Sequence, residues 1–361
     1  MKYQGSPNFD HAQQGRIGVL LTNLGTPQAP QKSALRTYLK QFLSDPRVVE
    51  IPRVLWWLIL NGIILNLRPA RSAAAYRTVW TEEGSPLLVH TRRQSKGVET
   101  KLAQSLGERV VVEYAMRYGE PSIHGALQSM IDRGVRQLLV LPLYPQYSGP
   151  TVGSTFDAIA SDFVQRRWIP ELQLITSYHD HPGYIRAVAD GIRAHWDQHG
   201  RAEKLIFSYH GLPQRYLNEG DPYHCQCHKT TRLVAQELDL PEGQYLCSFQ
   251  SRFGREEWLK PYTDETLRQL PGSGVRSVQI VCPGFSADCL ETIEEIGVEN
   301  REYFMEAGGE RYEYIPCLNE GEAHTDFIAK LVTERIGFWL DQPANAPADS
   351  ARMAAAMKTT L

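Results

Sequence analysis

The sequence has no glycine-rich phosphate loop. The turn after its first apolar run reads Asn23-Leu24-Gly25-Thr26-Pro27 instead of G-x-G-x-x-G, and neither a Walker loop nor a G-x-S-x-G elbow occurs elsewhere. A nucleotide-dependent oxidoreductase is therefore disfavoured. There is no excess of charge of one sign: 38 Lys and Arg against 41 Asp and Glu leave a formal net charge of -3, so nothing electrostatic points to nucleic acid. No apolar core follows Met1 as it would in a secretory signal, and a cytoplasmic location is expected. No run is long enough to cross a bilayer. The most apolar, Val54 to Leu67, has 14 residues interrupted by Asn61 and Gly62, where a span needs about 20. It reads either as a buried helix or as an exposed lip for a flat apolar substrate or a membrane surface. The six cysteines, at 225, 227, 247, 282, 289 and 317, show no paired spacing, and free thiols or metal ligands are expected before disulfides.

Short apolar runs alternate with longer amphipathic stretches. Strands are predicted at Ile17–Asn23, Arg109–Met116, Gln137–Leu141, Leu172–Thr176, Lys204–Ser208, Tyr245–Phe249, Ser277–Val281 and Arg311–Ile315. Ser85-Pro86, Pro121-Ser122 and Pro182 open helices between them. Strand–helix repetition implies parallel sheets covered on both faces, and the pattern runs twice. The expected fold is α/β, with two Rossmann-like domains, 15–176 and 177–340, and a cleft between them. The apolar helix 322–340 can pack on either half. Residues 341–361, rich in Ala and Pro, read as a flexible tail.

Ligands in such sheets bind beyond the carboxyl ends of strands. Two ends stand out. His210 ends an apolar run and is followed by Gly211-Leu212-Pro213; it reads as a proton acceptor or metal ligand, or as a strand cap. After Val281, Ser286 is expected to cap a helix with Asp288 in its first turn, and Glu291, Glu295 and Glu299 follow at i, i+4 and i+8. Three carboxylates on one face are either a solvated stripe or a path of hard oxygen ligands for a divalent cation. His224-Cys225-Gln226-Cys227-His228 is the densest group of metal-ligand types, but no second pair stands at standard spacing, so free thiols at a helix start are the default. Aromatic residues Tyr76, Trp80, Tyr144, Tyr147 and Trp258 fall in or near connections, where they would suit a large flat conjugated ligand or simply pack loops.

The blocks LLTNLGTP, YRTVWTEEGSPL, AMRYGEPSI, LPLYPQYSGPTVGST, FSYHGLPQRYLNEGDPY, FQSRFGREEWLKPYTDETL and CPGFSADCLETIEEIG, in this order, resemble the ferrochelatases over residues 15 to 335. The resemblance implies a chelatase-like fold with a porphyrin cleft, insertion of Fe2+ into protoporphyrin IX with release of two protons, and His210 and Glu291 as the catalytic pair. It places the metal path on His210, Glu291, Glu295 and Glu299. It places substrate contacts on Leu24, Arg77, Ser85, Arg117, Tyr144 and Trp258, and makes 54–67 the lip, with peripheral membrane contact. No cofactor is implied, Fe2+ being a substrate. The [2Fe-2S] cluster of animal members is not expected, because the tail has no Cys and Gly149 follows the YPQYS block; a cluster on internal cysteines, as in some bacterial members, stays open, though Cys225 and Cys227 do not match that pattern. A monomer or homodimer is expected. Alternatives are a related tetrapyrrole chelatase, for coproporphyrin or cobalt, and a non-catalytic porphyrin or haem carrier.

Overall fold

The computed structural model describes residues 3–5, 15–254, 256–341 and 356. They form two four-stranded sheets flanked by helices. The first holds β1 (Arg16–Gly25), β2 (Val110–Tyr118), β3 (Val135–Pro142) and β4 (Glu171–Leu174), in the order β2-β1-β3-β4. The second holds β5 (Lys204–His210), β6 (Tyr245–Gln250), β7 (Ser277–Val281) and β8 (Arg311–Ile315), in the order β6-β5-β7-β8. All neighbours pair in parallel. Each central strand is apolar on both faces because helices cover both. In β1, Val19 and Leu21 enter one core and Leu20 the other.

The eight strands stand where the apolar runs place them. The fourth is shorter and begins one residue earlier than expected. It is an edge strand, held only through Glu171–Leu174 against Gln137–Val140, so its ladder stops where that partner register ends. The helix starts also hold. Ser122 Oγ accepts the Gly125 N–H at 3.3 Å, and Pro86 and Pro182 occupy first-turn positions of helices Pro86–Leu106 and Pro182–His199.

One core is continuous between the sheets. Val19, Leu21, Leu139 and Leu141 of the first sheet share it with Leu205, Phe207, Tyr209 and Phe249 of the second. Tyr184, Ile185 and Val188 from helix 182–199 and Phe327, Ile328 and Val332 from the last helix, Glu322–Asp341, fill the space between. The last helix packs against helix 86–106 and β3, and also against helix 182–199. The tail expected at 341–361 lies outside the described residues apart from Asp341 and Ala356.

The run 54–67 is neither wholly buried nor wholly exposed. It forms helix Arg53–Ile59, a π-helical turn Leu60–Ile64 and the start of helix Leu65–Val79. Trp56 is 9% exposed and its indole N–H donates to the Leu43 carbonyl at 2.6 Å, while Trp57 is 63% exposed. Val54, Leu55, Leu58, Ile63 and Leu67 are exposed beside it. Adjacent helical residues point about 100° apart, so one tryptophan anchors the lip and the other faces outward.

Candidate active site at the strand ends

The predicted site residues gather at the carboxyl ends of the two sheets. In the second sheet, β5 ends on His210, which pairs in register with Gln250 at the end of β6. Side chains two apart on a strand share a face. Ser208 lies on the face that also receives the Gln250 side chain, since Ser208 Oγ donates to Gln250 Oε1 at 2.7 Å. His210 therefore projects on that face too. His210 Nδ1 is 2.7 Å from the Gly211 carbonyl oxygen. A carbonyl only accepts, so Nδ1 carries the proton and Nε2 of the neutral ring keeps a lone pair.

The turn after His210 is crowded. A Cβ on Gly211 would lie 2.8 Å from the Gln250 carbonyl oxygen and 3.1 Å from Trp258 Cε3. Glycine is required by that approach, which also seats Trp258 against the His210 turn. Trp258 is buried, with an indole N–H that finds no protein acceptor.

The acidic segment departs from expectation at its start. Ser286 caps nothing: helical structure begins at Leu290, the Ser286 hydroxyl is buried without a partner, and Asp288 precedes the helix. Asp288 instead accepts from four donors, Thr292 Oγ1, Tyr314 OH, the Cys317 N–H and Asn319 Nδ2. These bonds hold Asp288 outside the helix, which begins only at Leu290, and that is why the local cap signal failed. Glu291–Glu299 is then a π-helix rather than an α-helix. Its carbonyls receive side-chain donors from outside: Gln250 Nε2 on Glu291 at 3.0 Å, Asn300 Nδ2 on Glu295 at 2.8 Å and Tyr312 OH on Ile296 at 2.5 Å. The wide turn of a π-helix is an unusual structure that concentrates at functional sites.

The three ladder carboxylates still form a graded series. Glu291 and Glu295 are half-buried and Glu299 is exposed. Burial pushes Glu295 up to about 7, with the charges of Glu291 and Glu299 adding to the rise and the Ser251 hydroxyl, 2.5 Å away, opposing it. Glu299 accepts from Tyr303 OH at 2.5 Å. Ser251, the residue after Gln250, has a left-handed φ of 66°, a strained conformation of the kind found at binding sites.

Glu291 also meets the first half of the chain. Its charge acts on Tyr38, Tyr76, Tyr144 and Arg68, and burial is the main cause that pushes the tyrosines well above the ordinary phenol range. Tyr144, in the loop after β3, has a buried hydroxyl with no protein partner. Leu24, at the end of β1, is half-buried between the lip core and Leu87, Ala287 and Cys289. Ser85 is buried ahead of helix 86–106, though its hydroxyl makes no cap bond. Arg117 is tied into the wall: Nη2 meets Asp45 Oδ2 at 2.6 Å and Nε meets Ser154 Oγ at 2.7 Å. Burial alone would raise Asp45, but bonds from Ser154, the Arg47 N–H and Tyr118, with Arg117, hold it below the ordinary carboxylate range.

Arg77 is the predicted residue not joined to this group. It is exposed near the end of helix 65–79 and is not among the charges acting on Tyr38 and Tyr76. Arg68, on the same helix, was not singled out from the sequence. It is open to solvent yet crowded by protein; that crowding draws its pKa down, neighbouring Arg71 adds to the drop, and Tyr38 and Glu291 oppose it. Tyr38, whose hydroxyl donates to the Gly25 carbonyl at 3.1 Å, and Gln250 were missed as well. Their recruitment depends on which distant strand end they meet, and no local spacing carries that information. In the His224–His228 segment, Cys225 is exposed and Cys227 buried, about 200° apart on helix Tyr223–Glu237, so the two thiols do not converge. Among the described residues no group of three or more His, Cys, Asp or Glu side chains converges as a metal site would require.

Comparisons with known proteins identify the family. The family model described as Ferrochelatase matches residues 16–336. Relatives named ferrochelatase include one from Idiomarina loihiensis, 63% identical over 94% of this chain and 93% of its own, and one from Teredinibacter turnerae, 62% identical over 94% and 92%. Among solved structures, SirB from Bacillus subtilis with Fe3+ superposes with a TM-score of 0.52 at 12% identity, covering 88% of this chain and 95% of that one, which supports the fold. The chain belongs to the ferrochelatase family, lyases that insert iron into protoporphyrin in haem biosynthesis.

Proposed function

We infer that His210 and Glu291 carry the insertion step, with Glu295 and Glu299 as the route by which Fe2+ approaches. The carrying observation is their joining through one residue: His210 pairs with Gln250 in the sheet, and Gln250 Nε2 donates to the Glu291 carbonyl.

A flat porphyrin encloses two pyrrole N–H groups. Metal enters only when the ring bends and the nitrogen lone pairs tilt out of plane, so the walls must fit the bent ring better than the flat one. Leu24, Tyr144 and Trp258 supply rigid apolar surface for this, and Arg117 stiffens the wall through Asp45 and Ser154. His210 Nε2 takes pyrrole protons, because Nδ1–H is already committed to the Gly211 carbonyl. Glu291 holds the cation against the open face of the ring and shares in receiving protons. Glu299, exposed, and Glu295, half-buried, replace the waters of the incoming ion stepwise with carboxylate oxygens. Arg68, whose charge meets those of Glu291 and neighbouring Arg71, is suited to the substrate's carboxylates. Ser85 and Arg77 are further candidates for those groups.

This reading needs no resident cofactor, Fe2+ being a substrate, and no [2Fe-2S] cluster. Among the described residues no helix is long and apolar enough to cross a membrane. The exposed lip residues favour contact with a bilayer along this edge. A cobalt- or coproporphyrin-directed chelatase is not favoured by the family match. A passive carrier would need no graded carboxylate path. The test is an anaerobic assay of purified protein with Fe2+ and protoporphyrin IX, followed by absorbance. Haem formation that is lost in both His210→Ala and Glu291→Gln supports the assignment; full activity in either variant removes that residue from it. The visible spectrum before substrate is expected to lack iron–sulfur bands.

A further inference from the structure

Gln250 is almost fully buried, and every polar atom of its side chain has a partner. Oε1 accepts from Ser208 Oγ at 2.7 Å and from the Cys282 thiol at 3.7 Å, and Nε2 donates to the Glu291 carbonyl at 3.0 Å. Its backbone carbonyl accepts the Gly211 N–H at 2.7 Å. Behind it a buried hydroxyl chain continues: Ser208 Oγ lies 3.0 Å from Thr263 Oγ1, which donates to Ser248 Oγ at 2.9 Å. A flip of this buried amide would set Nε2 against the donating Ser208 hydroxyl and Oε1 against the Glu291 carbonyl, so the amide holds one orientation.

The two ends of this residue reach different parts of the site. Through its backbone it anchors the turn that orients His210. Through its amide N–H it supplies an extra donor to the first carbonyl of the π-helix bearing Glu291, Glu295 and Glu299. No other residue bonds both the turn after His210 and the start of that helix among the described hydrogen bonds. Resting on the assignment of His210 and Glu291 above, we propose that Gln250 is a positioning residue whose amide N–H sets the placement of the Glu291 carboxylate relative to His210 Nε2. It touches neither iron nor porphyrin and acts through Glu291.

Two variants separate this role from simple core filling. Gln250→Glu keeps shape and the acceptor for Ser208 but loses the N–H that reaches Glu291; Gln250→Met loses both. Both are purified alongside wild type and Glu291→Gln, with circular dichroism confirming the fold. Measured are kcat, the KM for Fe2+ and the affinity for porphyrin by fluorescence quenching. The expected result is a fall of at least about tenfold in kcat for both variants, a raised KM for Fe2+, and porphyrin affinity within about twofold of wild type. In the Glu291→Gln background, Gln250→Met should then cost less than about threefold, because the group it positions is already gone. Gln250→Glu as active as wild type overturns the proposal. So does an undiminished cost of Gln250→Met in the Glu291→Gln background, or a loss of porphyrin affinity that matches the loss of kcat. If Glu291→Gln itself retains full activity, the assignment of Glu291 fails first and this proposal with it. If Glu291→Gln is impaired and the Gln250 variants are not, only this proposal falls.

Discussion

His210 Nδ1 lies 2.7 Å from the carbonyl oxygen of Gly211, the next residue in the chain. The bond fixes the imidazole tautomer and leaves Nε2 of the neutral ring as the proton acceptor. His210→Ala is expected to retain the fold and lose roughly 100- to 10,000-fold in haem formation, the range for removing a positioned general base. Turnover near wild type in the anaerobic assay would refute the base assignment.

The Gly211 position is equally exacting. Gly211→Ala places a methyl 2.8 Å from the Gln250 carbonyl oxygen, and backbone must shift to relieve it. The expected cost is about 1–3 kcal/mol of stability, typical of overpacking. Insertion should also slow, since the same shift displaces His210 and Trp258. Denaturant unfolding and steady-state kinetics check the two effects; a variant unchanged in both would show that the turn yields easily.

Glu291 stands where both halves of the chain meet. Glu291→Gln keeps shape and removes charge, so it should cost at least about 2 kcal/mol of barrier stabilisation, roughly thirtyfold in rate. A drop below threefold would reduce the residue to surface charge.

Glu295 predicts a pH dependence of definite sign. Its carboxyl is raised to about 7 in the folded protein, mainly by burial. A raised carboxylate pKa adds no penalty below the unfolded value, and stability is progressively lost as pH rises towards 7 and through it, because the folded state must ionise a disfavoured group. Without metal, Glu295→Gln should therefore match wild type near pH 4 and exceed it at pH 8 by on the order of 2 kcal/mol. Equal stabilities at both pH values would contradict the burial argument. In kinetics, Glu295→Ala should raise the KM for Fe2+ more than that for porphyrin, and the reverse ranking would count against a metal path.

Trp57 is exposed on the lip while Trp56 anchors it. Trp57→Ser should change stability by no more than about 0.5 kcal/mol, as exposed positions do. It should nevertheless weaken co-sedimentation with phospholipid vesicles, whereas Trp56→Ser should cost stability first. Unchanged vesicle binding in Trp57→Ser would remove the lip from membrane contact.

The amino-acid order alone determined a good deal. Alternating apolar runs and helix starts are local signals, and they located all eight strands and the helices opening at Pro86, Ile123 and Pro182. The turn Asn23–Pro27 excluded a phosphate loop, and the four-residue spacing of Glu291, Glu295 and Glu299 placed them on one face whether the helix is α or π. Several things were decided only by tertiary structure: that Glu291 meets Tyr38 and Tyr76, that Asp288 is held outside the helix, and that Trp57 rather than Trp56 faces outward. The meeting of Arg68 with Tyr38 and Glu291, and the place of Gln250 between His210 and Glu291, belong with them. Each depends on contacts between distant segments; the Gln250 bond to Glu291 spans 41 positions. Hydrophobic periodicity arises within a single element and is written along the chain, whereas a hydrogen bond between two strand ends follows from how the sheets and helices pack and leaves no periodic trace.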